Sequence, residues 1–594
     1  MEVGVFSRWL KFVPLALAVL GLAVWYDTHC YRGFSAPEAM DAAQVARNLA
    51  DGRGFSTDFI RPFSIYLVQN HNQQTHANEM SLTNVVDFAQ LNSPHPDLAN
   101  APVYPTLLAG LFKLLPPSWQ TESDKPFWSK SGHYQRYKPE FQIALLNQIL
   151  LLVVVILTFV IARHLFDNQV AWLAALLTLG CDALWTFSVS GLSTMLLLVI
   201  FLALIFCLIK LEQAGREPVP QTTKLFALAI IVGMLTGLGM LTRYSFGWLI
   251  VPVVAYQLLF GGIRRPWLAT ATFAAFALVV TPWIIRNLSV SGTLFGTAGY
   301  SILEGTGVFP GSQLMQSIDP DVTKAFGLRP FTRKFLDNIN AIFQGDLLRL
   351  AGGWVSVLFF AGLLLGLRNL AARRLRYFTL MSLLMLTVVQ AMGRTWLSDQ
   401  SAEINSENLL VLLTPLVVIF GVVFFLTLLN QIKFAAPQLR VVVIILVAVI
   451  ASLPLLASLL PPRKSPVIWP PYYPPEIQKI AGWMRPDELV MSDIPWAMAW
   501  YGDRQCVWTT TDANQDFYKI NDYIKPVRGL FLSYNTLNSK LISECELGGN
   551  DSWGRFVLNA TMFHQLPKGF PLRFFPEKSI SFGLFYTDRI RWKT

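Results

Sequence analysis

The sequence predicts a polytopic α-helical membrane protein that carries a small α/β domain at its C-terminal end. Three observations predict it. Of the 594 residues, 53% are hydrophobic and only 14% charged, where a soluble chain carries roughly 25% charged residues. Apolar runs of near-span length recur as far as Leu460, separated by polar loops. Beyond Pro461 those runs stop, and short strand-like segments flank a short helical one.

Met1 to Tyr26 opens with Arg8 and Lys11 and runs into an apolar stretch. No small-residue cleavage site precedes Trp25-Tyr26-Asp27, so this reads as an uncleaved first helix with its N-terminus inside. Asp27 to Lys138 is a long polar segment, outside by topology. It contains Ser35 to Pro62, where acids, amides and arginines gather beside the membrane surface. Ser35 and Glu38 have the spacing of a capping box, with Pro37 in the first turn. Ala39, Ala42, Ala43, Ala46 and Ala50 fall on one side of the resulting helix, and Glu38, Asp41, Gln44 and Asn48 on another. Gly52 and Gly54 stop it. Phe55 to Ile60 then reads as a short extended piece ending at Arg61-Pro62. Ala101-Pro102-Val103-Tyr104-Pro105 leads into Thr106 to Leu115, which is short for a span of ~20 residues and reads as interfacial or re-entrant.

Further spans are expected at Phe141–Ile161, Val170–Trp185, Leu192–Ile209, Leu225–Leu241, Trp248–Phe260, Leu268–Ile285, Ala351–Leu367, Tyr377–Ala391, Leu409–Leu429 and Val441–Leu460. With the first helix they make about eleven. An odd number places the N-terminus inside and the C-terminus outside. The loops then inside hold Arg163; Lys210, Arg216 and Lys224; Arg264 and Arg265; Arg368, Arg373, Arg374 and Arg376; Lys433 and Arg440. The outside loop Gly393 to Asn408 sets Asp399, Glu403 and Glu407 against Arg394. This is the positive-inside pattern. Arg286 to Leu350 is a long outer loop with a helix expected around Phe331 to Phe343. Residues 1–460 thus form a membrane module and 461–594 an extracytoplasmic domain, joined by the Pro-rich run Pro461 to Pro475. In that domain Glu488–Met491, Gln505–Trp508 and Arg528–Leu532 read as strands and Pro495–Tyr501 as a helix.

The formal net charge of +10 is largely accounted for by the inside loops, and no aromatic-basic motif points to nucleic acid. The five cysteines, Cys30, Cys181, Cys207, Cys506 and Cys545, form no zinc spacing. Cys506 and Cys545 are either a disulfide, if the domain is extracytoplasmic, or two separate buried thiols. There is no P-loop, no dinucleotide fingerprint and no nucleophile elbow, so no nucleotide cofactor is expected.

Asp41 and Glu38 are the first candidates for chemistry. Carboxylates at i, i+3 share a helix face and suit a general base or a cation. Glu38 has a competing duty in the capping box; Asp41 has none. Arg243 in Thr242-Arg243-Tyr244, Arg286 in Pro282-Trp283-Ile284-Ile285-Arg286-Asn287, and Arg61 lie at expected outer membrane faces, where guanidinium forks suit a phosphate or snorkel to headgroups. Tyr104 and Tyr244 are candidates for substrate contact. His71, His76 and His95 with Asp97 are the weaker candidates for a metal, because their spacing matches no helical ligand pair.

With these residues in place, the chain resembles the GT-C class of integral membrane glycosyltransferases, in particular bacterial relatives of the protein O-mannosyltransferases and lipid A aminoarabinose transferases. The resemblance is carried by Met40-Asp41-Ala42-Ala43-Gln44-Val45-Ala46-Arg47-Asn48-Leu49 with Gly52-Arg53-Gly54-Phe55, by Ala101 to Pro105, by Gly191-Leu192-Ser193, by Gly237-Leu238 with Leu241-Thr242-Arg243-Tyr244, and by Pro282-Trp283 with Arg286-Asn287. It covers about the first half of the chain, in family order. The resemblance implies a GT-C-like fold in the bacterial cytoplasmic membrane, a polyprenyl-phosphate-linked sugar as donor, an acid in the first outer loop as base, and often a divalent metal cation. The family commonly has Asp-Glu at the start of the first-loop helix. Here Glu38 stands near that place and Asp41 one turn on, which leaves both open as the base. A transporter or flippase of a lipid-linked or small polar solute is the alternative from another class.

Overall fold

The computed structural model describes residues 3–75, 91, 94–121, 137–325, 327–401, 404–434, 436–460, 472–536, 551–563, 565–576 and 583–592. His76, Glu403, Cys545 and the linker from Pro461 to Pro471 lie outside the described residues. Cys506 is a buried free thiol.

The protein is a multi-pass membrane protein. Among the described residues six helices are long and apolar enough to cross a membrane: Lys138–Leu165, Thr194–Ala214, Thr222–Thr242, Arg265–Ser291, Leu370–Gly393 and Leu410–Gln431. Two bent pairs, Asn168–Leu179 with Asp182–Val189 and Pro437–Ala451 with Leu453–Leu459, raise the count to eight if each is one span. The expected count was about eleven. The first helix, Val3–His29, is not in this count, and two other expected spans differ for local causes. The run Ala351–Leu367 forms only the nine-residue helix Trp354–Gly362, because Ala351, Gly352 and Gly353 all take positive φ and block an earlier start. Trp248–Phe260 belongs to the shorter apolar helix Tyr244–Phe260. The second bent pair breaks at Ser452, before Pro454, which lacks an amide proton for the ladder. Apolarity reports burial in lipid or protein; it does not report where the ladder breaks.

Two spans decide where the arginines go. Thr222–Thr242 and Arg265–Ser291 approach at glycines: a Cβ on Gly233 would sit 2.2 Å from the Thr272 carbonyl oxygen, and one on Gly237 would sit 2.9 Å from Val279 Cβ. Small residues permit this approach where apolar side chains give no net drive between helices. Thr272 also donates to the Ala229 carbonyl across the pair at 2.9 Å. Arg243 follows directly on the first span and Arg286 sits near the end of the second.

Seven short strands are present among the described residues: β1 Ser56–Thr57, β2 Phe59–Ile60, β3 His95–Pro96, β4 Leu489–Ser492, β5 Cys506–Trp508, β6 Val527–Leu532 and β7 Leu584–Thr587. β1 pairs antiparallel with β3. The other five form a sheet in the order β2-β5-β4-β6-β7. The first four are parallel, and β7 runs antiparallel at the edge. The helices Pro495–Gly502 and Gln515–Tyr523 supply the crossovers that parallel neighbours need. β2 comes from the first loop, so C-terminal strands and first-loop backbone share one ladder, with Cys506 N–H donating to the Asp58 carbonyl at 2.8 Å.

The same junction is made by helices. Every residue of Pro495–Gly502 is buried, and the helix packs on Pro37–Ala50. Arg47, 3% exposed, donates to the carbonyls of Ala499 at 2.7 Å and Trp500 at 3.0 Å and pairs with Asp503 at 2.9 Å. A cation at a helix C-terminus satisfies the carbonyls that have no partner in the helix. Glu140 accepts from Phe34 N–H, Trp500 Nε1 and the Tyr501 hydroxyl. The helix Pro37–Ala50 is therefore clamped by the C-terminal chain along its far end and free to present its acidic face at the other.

Candidate active site

The helix Pro37–Ala50 begins differently from the expected capping box. Its N-cap is Ala36, with no side-chain cap, and Pro37 occupies the first turn. Ser35 Oγ bonds Ser401 Oγ at 2.9 Å instead. The Glu38 carboxylate is thereby released from capping. Its Oε1 accepts from Ser406 Oγ at 2.6 Å, while Oε2 is buried with no hydrogen-bond partner among the described residues. Burial and the nearby Glu407 charge push the Glu38 carboxyl up to about 7.

One turn on, Asp41 is tied down. Its Oδ2 lies 2.8 Å from Arg61 Nη2, with both residues buried, and its Oδ1 accepts from Gln44 Nε2 at 3.1 Å. Gln44 also donates to Thr57 Oγ1 and accepts from Asp58 N–H, and Asn48 donates to the Ser56 carbonyl. The i, i+3, i+7 amide face thus holds the extended piece 56–61 in place and aims Arg61 back at Asp41. The guanidinium lies over the Phe59 ring, 4.0 Å from its centroid.

The spans bring in the remaining arginines. Arg243 donates to the Ser406 carbonyl at 2.7 Å, on the same residue that bonds Glu38. Arg286 donates to the Asp97 carbonyl at 2.6 Å and lies over Trp283, 4.9 Å from its centroid. Among the described residues neither Arg243 nor Arg286 has a carboxylate at ion-pair distance. Tyr244 donates to the Asn100 carbonyl and accepts from Trp283 Nε1 at 2.7 Å. Glu38, Asp41, Arg61, Arg243, Tyr244 and Arg286 therefore converge on one region, although Arg61 and Arg286 are far apart in sequence.

Tyr104 does not join them. It is buried, donates to the Gly191 carbonyl at 2.8 Å and accepts from Asn147. Gly191 itself has φ +78°, and a Cβ there would meet the Phe34 ring at 2.3 Å. The Gly191-Leu192-Ser193 motif is thus a close-approach turn packed behind the site.

The metal expectation at His95 and Asp97 does not fit their surroundings. His95 Nε2 bonds Ser64 Oγ at 2.8 Å, and burial lowers its pKa to about 4. The Asp97 oxygens accept from the Ala99 and Asn100 amides in the turn that follows. Burial and the Asp41 charge raise Asp97 to about 6. Among the described residues no three His, Cys, Asp or Glu side chains gather as a metal-binding group.

Sequence reasoning missed three members of this charged region. Glu304 and Lys334, both 4% exposed, come from the segment between Arg286 and Leu350. Burial, with the Glu407 charge, pushes Glu304 up to about 8, and burial pushes Lys334 down to about 8. Lys334 donates to the Ser301 carbonyl at 2.8 Å. Glu407, noted only as an outside charge, accepts from the Thr395 amide and hydroxyl. No motif surrounds any of the three; only tertiary folding brings Glu407 near Glu38, and Glu304 and Lys334 near Glu407.

In fold the chain resembles the GT-C class of membrane glycosyltransferases. The sequence model of the dolichyl-phosphate-mannose-protein mannosyltransferase family matches residues 135–285, which include Gly191, Gly237, Arg243 and Trp283. By fold, the chain is similar to the oligosaccharyltransferase of Archaeoglobus fulgidus in its apo form, with TM-score 0.52 and 13% identity over 92% of this chain and 72% of that one. The same protein tethered to an acceptor peptide containing the NVT sequon matches with TM-score 0.50 and 13% identity over 98% and 75%. ArnT from Cupriavidus metallidurans bound to undecaprenyl phosphate matches with TM-score 0.48 and 12% identity over 91% and 95%. No curated protein matches the chain by sequence.

Proposed function

We propose that this protein is an inverting membrane glycosyltransferase that moves a sugar from a polyprenyl-phosphate donor to an acceptor hydroxyl at the outer face of the cytoplasmic membrane. One observation carries the reading. A helix face presents two carboxylates a turn apart, and arginines from three separate segments lie around them, two of these with no carboxylate at ion-pair distance among the described residues. Developing negative charge on a leaving phosphate calls for such preorganised cations. The family model that matches residues 135–285 supports a sugar linked through a lipid phosphate.

In this reading Glu38 is the base. It has an unpartnered oxygen and a proton affinity near the working pH, as general base catalysis favours. The acceptor O–H gives its proton to Glu38 as its oxygen attacks the anomeric carbon. The bond from that carbon to the phosphate oxygen breaks, and polyprenyl phosphate leaves with the electron pair toward Arg286 and Arg243. Asp41, held by Arg61 and Gln44, fixes the geometry of the extended piece rather than taking the proton. His95 and Asp97, engaged with Ser64 and with the turn amides, have no part in this step. The extracytoplasmic placement of residues 461–594 belongs to the same proposal.

The lipid that co-purifies with the full chain tests the donor. Mass spectrometry is expected to find a polyprenyl phosphate bearing a sugar, enriched in Glu38→Gln, which binds without turnover. Finding only bulk phospholipid in both proteins, together with solute flux in vesicles, would support the transporter instead.

A further inference from the structure

A groove of about 300 Å³ lies away from the acids, between the helix Pro62–Thr75, the turn at Ile318-Asp319 and the helix Gln515–Tyr523. The volume is at the lower end of ordinary ligand sites. Ile318 and Ile524 form its apolar floor and belong to the core around β6. Its walls are polar. Gln69, Asn70 and Gln73 face it at helical spacing, and Tyr66 and Tyr523 supply a ring from each side. Tyr523 is 61% exposed, and Tyr66 is backed by a stacked Phe63 ring at 5.9 Å.

We infer that this groove is a carbohydrate subsite that holds neutral sugar residues of the acceptor. The Gln73 amide offers a donor and an acceptor to neighbouring hydroxyls, and Asn70, whose Oδ1 accepts from Gln74, offers its N–H donors. Tyrosine rings present an apolar face with a polar tip, which suits the two-sided surface of a sugar ring. Charge selects against an anion: the one lysine, Lys519, is held by Asp516 at 3.1 Å, and Asp319 lines the opposite side. The lining residues come from helices and a turn, so there is no strand edge for a peptide backbone to extend. The same helix joins the groove to the acidic site. The helix that carries the amides starts one residue after Arg61. From Gln73 back to Pro62 is about 16 Å along its axis at 1.5 Å per residue. Pro62 to Ile65 are buried between the groove and the acids, so the groove is tied to Arg61 through this helix and stands apart from the acids on the surface.

The word acceptor rests on the transferase reading; the binding of sugar does not. Purified full-length protein in nanodiscs is titrated with mannotetraose, maltotetraose or chitotetraose, followed by saturation-transfer NMR. At least one tetrasaccharide is expected to bind. Tyr523→Ala and Gln73→Ala are each expected to weaken it by about tenfold, which is ~1.4 kcal/mol, while Glu38→Gln leaves it unchanged. If no tetrasaccharide binds, or binding survives both groove substitutions, the subsite is wrong. A Ser/Thr peptide that binds in place of the sugars, and is lost in the same variants, also overturns it. Sugar binding in a protein that turns over no lipid-linked donor leaves the groove standing and sinks the transferase. Turnover with an acceptor KM unmoved by the groove substitutions does the reverse.

Discussion

Glu38 and Asp41 are chemically similar and one helical turn apart, yet the fold gives them opposite environments. Asp41 is buried against Arg61, and removing one partner of a buried pair costs about 3–5 kcal/mol. Asp41→Asn is therefore expected to lower the apparent unfolding temperature as well as activity, and a variant that unfolds at the wild-type temperature contradicts this. Glu38 behaves the other way. Its folded carboxyl, near 7, binds a proton more tightly than the usual 4.5 of the unfolded chain. Stability is lost as pH rises from about 4.5 to about 7 and is then level. Glu38→Gln is accordingly expected to leave stability at pH 8 unchanged or raised. As a base, Glu38 must be ionised, so wild-type kcat/KM is expected to fall as pH drops through about 7. A rate limb at the ordinary carboxylate value would remove Glu38 from the role. The sequence made both acids visible and left the base open between them, because capping-box spacing cannot reveal that Ser406 from a distant loop will take the Glu38 carboxylate. Gly191 was equally visible as a motif and silent as to cause. Gly191→Ala is expected to destabilise by about 2–4 kcal/mol, from left-handed strain and overpacking against Phe34. An unchanged melting temperature would contradict that account.

At the scale of elements, the helix Pro37–Ala50 has two ends with different work. One presents Glu38 and Asp41; the other carries Arg47 into the C-terminus of Pro495–Gly502. Arg47→Ala strips two backbone carbonyls of their cation and leaves Asp503 to Arg53 at 3.2 Å. At about 1.5–3 kcal/mol for a hydrogen bond to a charged group, the C-terminal segment is expected to loosen and become protease-sensitive before the membrane spans do. Equal protease resistance in variant and wild type would show that the clamp lies elsewhere. The existence of these helices was legible from the 3.6-residue pattern and Pro/Gly punctuation, as were strands near 489, 506 and 528. Their mutual contact was not, since nothing local in residues 37–50 refers to residues 495–502. The extent of one expected span was hidden for a related reason: Ala351–Leu367 is almost wholly apolar, but three consecutive positive φ values keep its helix from starting before Trp354.

At the scale of the molecule, residues 489–587 do not hang from the membrane helices as a separate body. β2 of the first loop extends their sheet, Trp496, Trp500 and Trp508 are fully buried, and Phe59 packs on both Trp496 and Trp508 directly below Arg61. The candidate site is therefore assembled by three parts of the chain: the first loop supplies the acids, the spans supply Arg243 and Arg286, and the C-terminal segment fixes the geometry. The convergence of arginines was foreseeable from their place at span ends. The contribution of Glu304, Lys334 and the C-terminal sheet was not, because it depends on long-range packing alone. The most direct test of the whole account is a single-turnover measurement of polyprenyl phosphate release from a polyprenyl-phosphate-linked sugar by purified full-length protein with an acceptor present. Wild type is expected to release it, and Glu38→Gln, folded and still binding the lipid, to be slower by about 10²-fold or more. Release by Glu38→Gln at the wild-type rate would contradict the account.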